Sequence, residues 1–249
     1  MHITRGTLDI PDDPTPWILI QPNDQKDYCI LWLGGWGSTI EKHTPQITAL
    51  AHQTNVTVAM IEYAGHGSHP AALATTTREQ QLHEAITAFD ELKTIGYKHI
   101  IIAGNSFGGY MSALLSAERD PYALILREPA IYQDDEFSLP YPERQGYRDK
   151  AYEEMKFTVT PESDMQALHA VAKFNRSVYV IEHEIDSVIP KNIPRAYFTV
   201  AKRGNYLVIP ATDHAVAKMP RPENHYAYIT AAIAHVVDLI MRENTLFEA

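Results

Sequence analysis

Residues Gly104-Asn105-Ser106-Phe107-Gly108-Gly109 place a serine two positions from a glycine on either side. The run before it, His99 to Gly104, is apolar enough for a buried strand, and Tyr110 to Ser116 after it is an apolar helical stretch. A serine that is to attack a carbonyl must project from a sharp strand-to-helix turn, where side chains two residues away would collide with the strand or the helix. Glycines at both places remove those collisions. The helix start behind the serine turns backbone N–H groups and a positive dipole end toward a developing oxyanion. A glycine-rich βα turn that holds no chemistry is the alternative reading.

A serine hydroxyl is a weak nucleophile without a base, so the pattern calls for a histidine and an acid. Of twelve histidines, His83 and His235 fall inside helical patterns, His52 at a helix end and His99 at the N-terminal edge of a strand. His214 differs, because it follows the strand Tyr206 to Ile209 in the loop Pro210 to Ala215. The acid candidate is Asp186, in the loop that follows the strand Val178 to Glu182. Taken alone, Asp186 could be a turn or capping aspartate, and His214 a loop histidine. Together, Ser106, Asp186 and His214 give nucleophile, acid and base in chain order, each at the end of a different strand. In such a site His214 takes the Ser106 proton, Asp186 orients the imidazole, and an acyl-enzyme forms and is hydrolysed by water. The base must be unprotonated, so activity is expected to fall near or below pH 7, given an ordinary histidine value of about 6.5.

The elements that would position these residues alternate. Strand-like runs also occur at Trp17 to Ile20, Tyr28 to Leu33, Val56 to Tyr63 and Tyr122 to Leu126. Several are continuously apolar, as suits a parallel sheet covered on both faces. A helix is expected to open at Thr77 with Gln80 as the partner of a capping box, and another to run from about Asn224. The alternation predicts an α/β fold, a doubly wound and mostly parallel sheet, in one domain of 249 residues. One stretch departs from it. An insertion at about residues 129–170, rich in Pro, Tyr and acid, is expected to form a lid or binding loop at the carboxyl ends of the strands, or else a surface excursion.

Composition excludes several classes. The hydrophobic fraction of 45% argues against general disorder, and a net charge of −10 without a basic cluster argues against nucleic acid. Half of that charge lies in residues 129–166, which hold nine acids and four bases, a net of −5. That imbalance disfavours strongly anionic substrates. The single cysteine, Cys29, sits mid-strand as a small core residue and allows neither an internal disulfide nor a thiolate metal cage. No apolar run reaches the roughly 20 residues of a membrane helix. The N-terminus lacks a secretion-signal core, so a cytoplasmic location is expected, a cysteine-poor periplasm being the alternative.

The chain resembles the α/β-hydrolase fold superfamily over essentially its whole length. Gly104 to Gly108 resembles the family's nucleophile elbow, and Leu33-Gly34-Gly35-Trp36-Gly37-Ser38 resembles its His-Gly-x-x-Gly-x-Ser loop. Glu62 to Ser68 resembles its acidic-x-x-Gly-His-Gly-x-Ser turn, and Asp186 with Pro190 resembles its acid loop. The resemblance implies backbone N–H donors of an oxyanion hole at Trp36 and Phe107. It departs at Gly34, where His is usual, and at His183, where Gly is usual. It implies a small carboxylesterase-like serine hydrolase acting on esters of small to medium acyl groups, with a small-molecule acyl substrate and no cofactor. A thioesterase, amidase or peptidase on the same triad, or a low-turnover receptor-like binding protein, is the alternative. Gly35, Arg127 and Glu128 are candidates for the substrate pocket; Arg127 and Glu128 could instead pair with each other or with the insertion. His66 and His69 read as stabilising the turn. A zinc site built from them and a carboxylate lacks regular ligand spacing, so no metal is expected.

Overall fold

The computed structural model describes residues 1–11, 13–141 and 150–247, with 244–247 as backbone only. The stretch 142–149 of the expected insertion therefore lies outside the described residues.

Eight strands form one sheet in the order β1-β2-β4-β3-β5-β6-β7-β8. β1 (His2–Leu8) and β2 (Thr15–Gln21) run antiparallel to each other, and β2 runs antiparallel to β4 (Thr57–Ile61). The remaining strands are parallel: β3 (Tyr28–Leu33), β5 (His99–Asn105), β6 (Ala123–Arg127), β7 (Val178–His183) and β8 (Gly204–Ile209). β1 had no counterpart in the sequence reading. Six of its seven residues are exposed, so it carries no buried face by which a strand could be recognised.

The central strands are apolar on both faces because both faces are covered. Along β5, Ile100 and Ile102 pack toward α2 (Arg78–Ile95), α3 (Phe107–Glu118), α5 (Gln166–Lys173) and α6 (Asn192–Val200). Ile101 and Ala103 pack toward α1 (Ile40–Thr54) and α7 (Pro222–Phe247). The period of two along a strand thus feeds two separate cores. α2 begins as expected, with Thr77 Oγ accepting from the Gln80 N–H at 3.0 Å. The other half of the expected capping box is absent, since the Gln80 side chain donates instead to Asp13 Oδ2 at 3.0 Å.

Between β6 and β7 lie α4 (Lys150–Thr158) and α5. The segment is anchored to the body by a buried ion pair, Arg78 to Glu136 at 2.8 Å, with the Arg78 guanidinium 4.4 Å from the Tyr132 ring centre. Tyr141 stacks on Trp36 with ring centres 5.3 Å apart. Lys156 of α4 donates to the Val188 carbonyl at 3.0 Å. These contacts bring the segment against the carboxyl edge of the sheet.

At the β5–α3 junction the chain turns so tightly that two glycines are needed. A Cβ on Gly104 would run into the Gly108 carbonyl oxygen and Ser112 Oγ; one on Gly108 would run into the carbonyl oxygens of Leu33 and Gly34. Overpacking of a close contact costs about 1–3 kcal/mol, and each kcal/mol moves the midpoint of a domain of this size by about 2–4 °C. Gly108→Ala should therefore lower the thermal midpoint by roughly 2–12 °C. A melt that matches the native one would show that the turn has room to spare.

Candidate active site

Ser106 occupies the turn itself, with φ 53° and ψ −114°, a left-handed backbone that a residue bearing a Cβ adopts only under constraint. The constraint is supplied by β6 and the residues after it. The Ser106 N–H donates to the Arg127 carbonyl at 3.0 Å, and the Ala130 N–H donates to the Ser106 carbonyl at 3.0 Å. Phe107 opens α3 directly behind the serine, so its N–H has no acceptor one turn back within the helix. Gly35 approaches from β3: a Cβ placed there would stand 3.5 Å from Ser106 Cβ and 3.0 Å from Asn105 Nδ2.

Asp186 and His214 meet one strand further on. His214 Nδ1 lies 2.7 Å from Asp186 Oδ2, with the Asp186 side chain almost wholly buried. Asp186 Oδ1 accepts from the N–H groups of Val188 and Ile189, both at 2.7 Å. Burial by itself would raise the Asp186 carboxyl. The hydrogen bonds from His214, Glu128 and the Ile189 backbone outweigh it and hold the group down at about 2. Asp186 is thus an ionised acceptor for the imidazole at neutral pH. Ser106 Oγ makes no hydrogen bond to His214 among the described residues, a looseness common where no substrate is bound.

Arg127 and Glu128, expected from sequence near a substrate, are both buried. Arg127 Nη1 lies 3.4 Å from His183 Nε2, while His183 Nδ1 lies 3.1 Å from the Asp213 carbonyl oxygen. That carbonyl requires the proton on Nδ1, so Nε2 is the acceptor for the guanidinium. The departure from the family's usual glycine at 183 therefore supplies a neutral partner for a buried cation. Burial and the Arg127 charge push His183 down to about 3. Glu128 follows directly, with φ 45° and an N–H that donates to the Ile181 carbonyl at 2.8 Å. Its carboxyl oxygens belong to a group with Asp186 and His214 in which the ligand-type atoms lie within 4.8 Å of one another. No ion would fit between Asp186 and His214 there, because a direct 2.7 Å contact leaves no space for metal bonds of about 2.0 Å on each side.

On the other side of Ser106, Trp36 sets its indole edge-on to Phe107 at 5.3 Å and to His66 at 4.8 Å between ring centres. The Gly37 N–H points to His66 Nε2 at 3.4 Å. Glu62 holds the neighbouring turn: one carboxyl oxygen accepts from the Ile40 N–H at the start of α1, and the other accepts from the backbone and hydroxyl of Ser68. A cavity of about 680 Å³ opens beside this loop, bounded by Trp36, Pro45, Ala49, Ala217 and Tyr226. Its size is that of a small-molecule site.

The His69 N–H donates to the His66 carbonyl at 3.0 Å, but the two side chains go to different groups. His66 packs among Trp36, Tyr63 and Phe107, whereas His69 joins Asp13 and Glu84 in a buried group. There the Ala71 N–H donates to His69 Nδ1 at 3.1 Å, which leaves the proton on Nε2, 3.0 Å from Asp13 Oδ1. A ring nitrogen that carries a proton does not bind a metal, so this group reads as a proton-sharing network.

His43 was not singled out by sequence. Its Nε2 lies 3.1 Å from Ser38 Oγ, and burial together with the charges of Arg127 and Lys42 pushes it down to about 4. A histidine depressed in the folded state holds fewer protons than its unfolded form. Its contribution is therefore intact above the ordinary value of about 6.5 and lost as pH falls toward the folded value. His43→Asn removes that dependence. The wild-type midpoint should fall relative to this variant as pH drops from about 7 to about 4.5, and a constant or widening wild-type advantage would contradict it.

No protein-family model and no curated protein matches the sequence. Solved structures do match. Est1E from Butyrivibrio proteoclasticus, with ferulic acid bound, superposes with a TM-score of 0.73 at 19% identity, covering 95% of this chain and 99% of that one. An esterase of Pyrobaculum calidifontis gives 0.65 at 16% identity, covering 96% of this chain and 86% of that one. LAE6, an α/β-hydrolase enzyme from the Lake Arreo metagenome, gives 0.67 at 17% identity, covering 95% of this chain and 81% of that one. Sheet order, helix placement and these superpositions agree that the chain has the α/β-hydrolase fold.

Proposed function

We propose that the chain is a serine hydrolase that cleaves carboxylic esters of small to medium acyl groups through an acyl-enzyme on Ser106. The observation that carries this reading is the backbone of Ser106, held at φ 53° after β5, on the sheet edge where the loops after β7 and β8 pair Asp186 with His214. A serine held outside the ordinary backbone regions, in a chain that also orients an imidazole with an ionised acid, is the arrangement that nucleophilic catalysis uses. That the matched structures include esterases supports the same class.

In this mechanism His214 Nε2 accepts the Ser106 proton as Oγ attacks the acyl carbon. The tetrahedral oxyanion is held by the N–H groups of Trp36 and Phe107. Collapse expels the alcohol, which takes the proton from His214; water then enters by the reverse sequence and releases the acid. Asp186 stays ionised throughout and stabilises the imidazolium.

Ser106→Ala should lower turnover of a short-chain nitrophenyl ester by about 10³-fold or more and abolish labelling by a fluorophosphonate. A variant that keeps near-native turnover overturns the mechanism. Rates on a matched ester, thioester and anilide set decide the leaving group, and saturable binding without acylation would point to a receptor-like protein.

A further inference from the structure

We infer that Glu128 is a positioning residue for this reaction: a neutral carboxylic acid that donates its proton in a hydrogen bond to Asp186 and so fixes the carboxylate that orients His214. The inference rests on the triad reading, and its placement in the fold is independent of any substrate.

Four observations converge. The Glu128 side chain is wholly buried, and no N–H or hydroxyl group among the described residues donates to either of its carboxyl oxygens. The group within reach is Asp186, itself an acceptor, in the cluster that spans 4.8 Å. Two carboxyl groups buried within 4.8 Å of one another are held there at least cost if one keeps a proton, and Asp186, fed by His214 and two backbone N–H groups, is the one that gives it up. The charges agree: the buried guanidinium of Arg127 balances one carboxylate at this corner, and His183 beside it is neutral. Burial, then the hydrogen bond and charge of Asp186, push the Glu128 carboxyl up to about 11. Finally, Glu128 takes a left-handed φ of 45° that favours Gly or Asn, pinned by its N–H bond to Ile181. A glutamate at a position that favours Gly or Asn is consistent with a use of its side chain.

The geometry explains why a third support is useful. The loop carrying Asp186 is exposed at Ile185 and Val188. The two backbone bonds to Oδ1 come from within that loop, so by themselves they let it drift as a unit. Glu128 directly follows β6, is held to Ile181 of β7 through its N–H, and ties the carboxylate to the same strand end that holds the Ser106 backbone.

Glu128→Gln keeps a donor in the same place, whereas Glu128→Leu keeps the bulk and removes it. Two readouts need no substrate. First, Gln cannot ionise, while the wild-type carboxyl ionises on unfolding above its ordinary value of about 4.3 and stays protonated when folded. Stability tied to that proton is present at low pH and lost as pH rises. The Glu128→Gln midpoint should therefore climb relative to wild type from about pH 5 to about pH 9. The groups facing Glu128 are Arg127, Glu182, Asp186, His183 and His214, and all are common to the two proteins. Second, the proton NMR signal of His214 Nδ1–H, assigned by its loss in Asp186→Asn, should persist in Glu128→Gln and broaden or vanish in Glu128→Leu. On an ester substrate Glu128→Leu should lose about tenfold or more in kcat at similar KM, and Glu128→Gln should stay within about threefold of native. A relative midpoint that does not rise with pH overturns the neutral acid, and a Glu128→Leu protein that keeps the native signal and kcat overturns the positioning role. A wild-type protein without ester turnover would refute the proposed function, while the first two readouts still decide the state of Glu128.

Discussion

The carbonyl oxygens of Leu33 and Gly34 occupy the space where residue 108 would carry a side chain. Everything at the carboxyl edge of the sheet is arranged around that contact. Because β3 and α3 meet backbone to backbone, Gly35 reaches the serine, and the helix start lies close behind it. The turn between β5 and α3 must then close within a few atoms, which forces Ser106 out of the ordinary backbone regions. β6 holds it there through the Arg127 carbonyl and the Ala130 N–H. A strained serine, in this fold, is the cost of bringing two backbones together, and the neighbouring strand meets it.

That neighbouring strand also ends in two buried ionisable residues. Arg127 turns to His183 on β7 and Glu128 turns to Asp186 beyond β7, so the two side chains serve the acid loop from either side. Burying a cation, a carboxylate and a second carboxyl group is tolerable only when the charges cancel and each proton has an acceptor. The neutral state of His183 and the ionised state of Asp186 follow from this requirement. The corner behaves as one electrostatic unit, and a change at any member alters the protonation of the others.

Much of this was legible in the sequence because it is local. The elbow glycines, the Thr77 cap and the two-faced apolar strands are decided by residues within a turn or a strand length of one another. β1 was illegible because its residues stay in water. Gln80 was read as half of a capping box, but a distant partner, Asp13, captured its side chain. His183 stood out only as a departure from a pattern; its use as a neutral acceptor depends on the β6–β7 register, which pairs Arg127 with Ile181. The contact of Glu128 with Asp186 depends on the same register and on a left-handed backbone that no residue type announces. What sequence cannot show is which of several charged residues at strand ends will face one another across a ladder.

Tyr141 lies flat on Trp36, and Trp36 belongs to the loop that approaches Ser106. The segment between β6 and β7 is thus part of the wall that shapes the loop carrying a proposed oxyanion donor. If the proposed reaction holds, a change in that segment at Tyr141 also reaches the loop that would hold the reacting oxygen. For this architecture, selectivity and turnover are written in the same few aromatic rings, and a lineage that retunes one inherits a change in the other.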